Sequence, residues 1–156
     1  MRVSIVSVGH KMPTWIQSGF REYVKRLPPE IKVELVELKP EERTSGKTVD
    51  KARALEGERI IAALPEGATV YALDEKGRPV TTPGLSVMLA GWMRDATHPA
   101  FVIGGADGLS DAVKGRADKL VSLSALTLPH GLVRVLLAEQ LYRAWSILAN
   151  HPYHRE

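Results

Sequence analysis

Ala100-Phe101-Val102-Ile103 is apolar at every position and runs straight into Gly104-Gly105-Ala106-Asp107-Gly108. A strand with no polar face needs cover on both sides, as a central strand of a parallel sheet with helices above and below has. Parallel neighbours are joined by long, usually helical crossovers, so strand and helix patterns should alternate around this segment. They do. Arg2 to Val8 alternates Val3, Ile5, Val6 and Val8 with small polar residues and stops at Gly9, and Ile31 to Leu38 alternates again with Ile31, Val33 and Leu35 on one face. Between them Pro13 opens a helix carrying Trp15, Ile16, Phe20, Tyr23, Val24 and Leu27 up to Pro28-Pro29.

The pattern continues past a polar loop, Lys39 to Lys47, whose mixed charges predict a solvated and mobile segment. Thr48 to Leu64 reads as a helix on Val49, Ala52, Leu55, Ile60 and Ala63. Ala68 to Leu73 reads as a strand ended by the turn Asp74-Glu75-Lys76-Gly77. Thr82 caps a helix through Leu85, Met88, Leu89 and Trp92. After the glycine cluster come a short helix to about Gly115, a strand Lys119 to Leu123, a loop Ser124 to Pro129 and a long helix Gly131 to Asn150. About five strands alternating with about five helices predict an α/β domain with a mostly parallel sheet flanked by helices.

With 156 residues and no cysteine, the chain supports one domain, 1–156, with no disulfide framework, thiolate metal site or cysteine nucleophile. A reducing, cytoplasmic compartment is compatible with that. The opening alternating run lacks the apolar core and cleavage site of a secretory signal, and polar residues interrupt the long helix too often for a membrane span. Net charge is +3, a weak pointer to nucleic acid.

In open α/β sheets, ligands bind beyond the carboxyl ends of strands. Three such ends stand out: Leu73-Asp74, Gly104 to Gly108, and Leu123 to Leu128. The glycine cluster fits a tight strand-to-helix turn or a close approach to a ligand; its spacing is that of neither a dinucleotide fingerprint nor a phosphate loop. Leu123-Ser124-Ala125-Leu126-Thr127-Leu128 is uncharged, which suits an apolar slot read by backbone groups, such as a purine site, and equally a buried connection. His130 follows Pro129 at a helix start and reads as a capping or solvated histidine.

On the last helix, Glu139, Gln140, Arg143 and Ser146 share a polar sector, while Arg134 falls at the centre of the apolar face. A guanidinium is not buried unpaired, so Arg134 meets either a carboxylate or an anionic ligand such as RNA. Leu132, Leu136 and Ile147 make the helix apolar on more sides than one sheet face needs, and a second copy of the chain is the simplest cover. The tail, His151 to Arg155, holds stacking, cationic and proton-exchanging side chains, without the carboxylates that would complete a metal site.

Leu123 to His130, Leu132-Val133-Arg134, Glu139 to Ser146 and the ending Asn150 to Glu156 closely resemble the bacterial large-subunit (23S) ribosomal RNA pseudouridine N3-methyltransferases, minimal members of the SPOUT superfamily. The resemblance spans the chain, including Val8-Gly9-His10-Lys11-Met12-Pro13, Ile103-Gly104-Gly105 and Gly108-Leu109-Ser110, and only Lys39 to Lys47 departs freely. It implies a deep C-terminal trefoil knot, S-adenosyl-L-methionine as cofactor, a homodimer, no metal, and 23S rRNA within the assembled ribosome as partner. It also implies a cofactor pocket of Leu73, Gly104, Gly105, Leu123, Ser124, Ala125, Leu126, Thr127 and Leu128. Tyr153, His154 and Arg155 would be catalytic, with His130, Arg134, Tyr153 and Arg155 toward RNA. The competing expectations are a relative acting on another RNA, such as tRNA, and a non-enzymatic ribosome-binding module on the same fold.

Overall fold

The computed structural model describes residues 1–43 and 46–154. Its elements are β1 (Arg2–Val8), α1 (Thr14–Val24), β2 (Lys32–Leu38), α2 (Val49–Ala63), β3 (Thr69–Pro79), α3 (Thr82–Asp95), β4 (Pro99–Ile103), α4 (Asp111–Arg116), β5 (Lys119–Ser122) and α5 (His130–Leu148). The sheet order is β2-β1-β4-β3-β5 and every pairing is parallel. The all-apolar segment thus lies in the centre, with Phe101 in register with Ile5 on one side and Tyr71 on the other.

Side chains of the inner strands go alternately to two cores, as the period of two requires. Val3, Ile5, Tyr71, Phe101 and Ile103 meet Leu85, Leu89 and Trp92 of α3 and Leu137, Leu141 and Ala144 of α5. Val6, Val8, Val70, Ala72, Ala100 and Val102 meet Ile60 of α2 and Val113 of α4. Each large side chain fully buried this way contributes roughly 1.5–3 kcal/mol. In the first core Trp92 Nε1–H donates to the Tyr71 hydroxyl at 2.9 Å, so the buried indole donor is satisfied.

Three local expectations change. Asp74 to Gly77 does not end its strand: Leu73 and Arg78 both pair with Val121, and the four residues between them bulge out. The Lys76 N–H bonds Asp74 Oδ1 at 2.9 Å, and Gly77 passes so close to β5 that a Cβ there would lie 2.7 Å from the Val121 nitrogen. Gly77 therefore permits a backbone crossing that the turn signal gave no hint of. The cap of α3 is Thr81, accepting from Gly84 N–H, because α3 already includes Thr82. Lys39 to Lys47, apart from Thr44 and Ser45, which lie outside the described residues, is not a loosely solvated loop. Glu41 pairs with Lys47 and Arg59, and Arg43 pairs with Glu56 and Asp107.

Candidate active site

The three segments singled out in the sequence, now a bulge of β3 and the ends of β4 and β5, converge on one cavity of about 660 Å³, within the usual range for small-molecule sites. Leu73, Gly104, Gly105, Leu123, Ser124, Leu126, Thr127, Leu128 and His130 line it. Ala125 is exposed and outside the lining, since the loop turns there.

The glycine turn is built by the backbone. Gly108 N–H bonds the Gly105 carbonyl at 3.1 Å, with Gly108 at φ +76°. A Cβ at Gly104 would fall 2.9 Å from the carbonyl carbon and oxygen of Gly108. Only a residue without a side chain leaves that turn undisturbed. The facing loop is also self-templated: Ser122 Oγ donates to the Ser124 carbonyl at 2.9 Å, and Ser124 Oγ accepts from Leu126 N–H at 2.9 Å. Thr127 Oγ1 donates to Glu75 at 2.9 Å, joining this loop to the bulge in β3. Leu73, Ile103, Leu123, Leu126 and Leu128 supply apolar walls with backbone groups between them.

Charge at the rim comes partly from the flagged segments themselves, Asp74, Glu75, Lys76 and Asp107, and partly from helices that the sequence did not assign to the site. Arg53 of α2 and Lys114 of α4 both line the cavity. Lys114 stands 3.1 Å from Asp74, whose carboxyl is held below its ordinary value first by the Lys76 N–H and further by Lys114. His130 is pushed below its usual 6.5, mainly by burial and then by the Arg134 charge, with Glu56 opposing. Its Nδ1 is buried without a hydrogen-bond partner.

Arg134 takes the carboxylate alternative. It is 1% exposed, and Nη1 donates to Glu37 at 2.6 Å, Nε to Ser7 Oγ at 3.1 Å and Nη2 to the Gly9 carbonyl at 2.8 Å. The expectation that Arg134 reaches RNA is corrected accordingly: the guanidinium is buried against the end of β1 and ties α5 to the sheet.

The tail lies elsewhere in the same protomer. Tyr153 O–H donates to Glu139 at 2.9 Å, its ring packs 4.5 Å from Tyr142, and the Arg143 guanidinium sits 4.9 Å over its face. Burial first, then the bond to Glu139, pushes the Tyr153 phenol up to about 12. His154 Nδ1 is 3.4 Å from Ser146 Oγ. Arg155 lies outside the described residues. Counted along α5 at 1.5 Å per residue, Glu139 is about 14 Å and Ser146 about 24 Å from His130. Neither Tyr153 nor His154 lines the cavity of its own chain. Among the described residues no group of three or more metal-ligating side chains is found, and no helix is long and apolar enough to cross a membrane.

A family model described as a predicted SPOUT methyltransferase matches residues 1–154. Curated proteins named ribosomal RNA large subunit methyltransferase H are 60% identical in Burkholderia ambifaria and 61% in Burkholderia mallei, each over 155 residues and 99% of both chains. Among solved structures, a probable methyltransferase from Bordetella pertussis superposes with a TM-score of 0.58 at 19% identity, covering 92% of this chain and 95% of that one. A probable methylase family protein from Haemophilus influenzae superposes with a TM-score of 0.56 at 15% identity, covering 97% and 67%. These two likenesses concern the fold.

Proposed function

The chain belongs to the SPOUT methyltransferase family, and from that premise we propose that it methylates N3 of a pseudouridine in large-subunit (23S) ribosomal RNA of the assembled ribosome, using S-adenosyl-L-methionine. The observation that carries this reading is the separation of two half-sites, a small-molecule cavity beside the sheet and a tail of aromatic and imidazole side chains held about two and a half to four and a half turns away along α5. The name shared by relatives at 60% identity over the whole chain supports ribosomal RNA as the substrate. A cytoplasmic location goes with such a substrate.

The cavity suits the donor. Its volume exceeds what a nucleoside needs, and the loop from Leu123 to Leu128 offers backbone groups between apolar walls. When bound, the donor supplies an activated methyl on a sulfonium, so the protein has chiefly to position and to move a proton. Leu73, Gly104, Gly105 and Leu123 to Leu128 hold it, with Ala125 contributing only to the course of the loop. His154 accepts the N3 proton of the imide, Tyr153 stacks on or donates to the base, and Arg155 stabilises charge on the imide oxygen or a phosphate.

A tail held against Glu139 and Ser146 cannot serve its own cavity without leaving α5. A homodimer resolves this by presenting the tail of one copy to the cavity of the other. Partly buried apolar residues Leu132, Leu136 and Ile147 and exposed Leu148 on α5 give the second copy a surface to cover. Residues 1–156 act as a single domain whose last helix, in this reading, threads the family's knot.

The test is transfer of a labelled methyl group to intact ribosomes, separated subunits and free rRNA from cells lacking the modification. Incorporation at one large-subunit pseudouridine, lost with His154→Ala, is the expected result. Donor binding without incorporation into any of the three overturns the substrate.

A further inference from the structure

Glu56, in the middle of α2, is 2% exposed, yet it stands directly behind the glycine turn: a Cβ built at Gly105 would lie 3.2 Å from its Oε1. A buried carboxylate is costly unless charge and hydrogen bonds meet it. Both come from the segment after β2. Glu41 N–H donates to Oε2 at 2.9 Å, and Arg43 Nη1 donates to the same oxygen at 3.0 Å. The Arg43 guanidinium then continues to the turn itself, with Nε donating to Asp107 Oδ2 at 2.9 Å and Nη2 2.7 Å from it. Arg53 Nη1 donates to the Asp107 carbonyl at 3.2 Å from the other side.

We infer that Arg43, fixed by the buried Glu56, is a positioning residue for the methyl donor, holding Gly104 to Gly108 through Asp107 in the conformation that receives it. The inference rests on the reading of this cavity as the donor site. A turn rich in glycine has more accessible conformations than any other, and freezing it costs entropy. Inside the turn, the bond between Gly108 N–H and the Gly105 carbonyl opposes that freedom. An exposed ion pair alone adds little, but a guanidinium clamped on a buried carboxylate cannot wander, and its planar fork passes that order on to Asp107. The segment after β2, read from the sequence as a solvated and mobile loop, thereby becomes part of the donor site's support.

The experiment compares Arg43→Gln, Arg43→Lys, Asp107→Asn, the Arg43→Gln/Asp107→Asn double variant and Arg59→Gln in the full-length protein. Arg59 is the control, since it holds the same segment at the Lys39 carbonyl (3.0 Å) and at Glu41 without touching the turn. Titration calorimetry with S-adenosylmethionine gives donor affinity, steady-state kinetics give the KM for ribosomal substrate, and melting temperatures report the fold. Arg43→Gln and Asp107→Asn should each weaken donor binding about tenfold, with the double variant no worse than either, as coupled residues behave. Arg43→Lys should fall between Arg43→Gln and the wild type, RNA KM should stay constant, and Arg59→Gln should bind the donor normally. Wild-type donor affinity in Arg43→Gln, additive losses in the double variant, or an equal loss in Arg59→Gln overturns the inference. A wild-type protein that binds no S-adenosylmethionine overturns the donor-site reading and the inference with it.

Discussion

At the bulge of β3 and the ends of β4 and β5 the molecule offers a cavity shaped largely by backbone; at the far end of α5 it presents side chains. The cavity is shaped by a turn of glycines and a loop held by its own serines. In the tail, Tyr153 and His154 are engaged with Glu139 and Ser146. In the proposed reading the cavity receives the donor as it stands, whereas the tail would exchange these partners for a substrate. If the cavity binds the donor and the tail carries the chemistry, as proposed, the two should fail separately when either is altered.

Gly104→Val is the severest break in that comparison. Its Cβ alone meets the Gly108 backbone at 2.9 Å, where no flexible side-chain end can give way. Donor binding should fall by two orders of magnitude or more, about 3 kcal/mol, in line with overpacking costs, while the tail keeps its bond to Glu139. Calorimetry measures the first, and the Tyr153 phenol's absorbance on alkaline titration the second. Retained donor affinity would mean the turn does not touch the donor.

His154→Ala should leave donor affinity unchanged and lower methyl transfer about 10²-fold or more, the usual contribution of a general base. Mixing it with Gly104→Val sharpens the contrast. If tail and cavity come from different copies, a heterodimer holds one intact site, and a statistical mixture recovers about a quarter of wild-type activity. If one chain supplied both, the mixture would stay dead.

Arg134→Ala tests the helix that joins the two regions. It strands the Gly9 carbonyl and the Glu37 carboxylate, and since Glu37 is 41% exposed the cost should fall at the low end of the ~3–5 kcal/mol typical for breaking a buried pair. Chemical denaturation measures it. A loss confined to RNA affinity, with stability intact, would restore the ligand-facing alternative.

How much of this was legible in the sequence follows from the same division. Strand ends are local: apolar runs stopping at Gly104 and at the Ser122 to Pro129 segment located the cavity, because strand burial and turn chemistry are written in consecutive residues. The bulge at Asp74 to Gly77 was read as a strand end, since a turn signal does not say whether pairing resumes after it. Arg53, Lys114, Glu56 and Arg43 were not assigned to the site, because their neighbourhood is fixed by the packing of α2 and α4 onto the sheet. Arg134 was correctly seen as a buried charge needing a partner, but its partner, Glu37, lies 97 residues away on an edge strand. The tail's side chains stood out by type, and their distance from the cavity had no signal in the sequence at all.

The smallest effect belongs to His130, the one tail-independent titrating group proposed at the cavity wall. Burial, and secondarily Arg134, hold its imidazole below the usual 6.5. The folded protein therefore binds that proton less readily than the unfolded chain. Its contribution to stability is complete above about pH 6.5 and is lost as pH falls toward the lowered folded value. A cationic donor feels the same proton, since charging His130 sets a like charge against the sulfonium. Donor affinity should be flat above pH 6.5 and decline severalfold in mild acid, with Gln in place of His130 flattening the curve. Calorimetry across that range reads donor binding alone, apart from any effect on turnover. An acid decline that survives His130→Gln would show that His130 does not carry it.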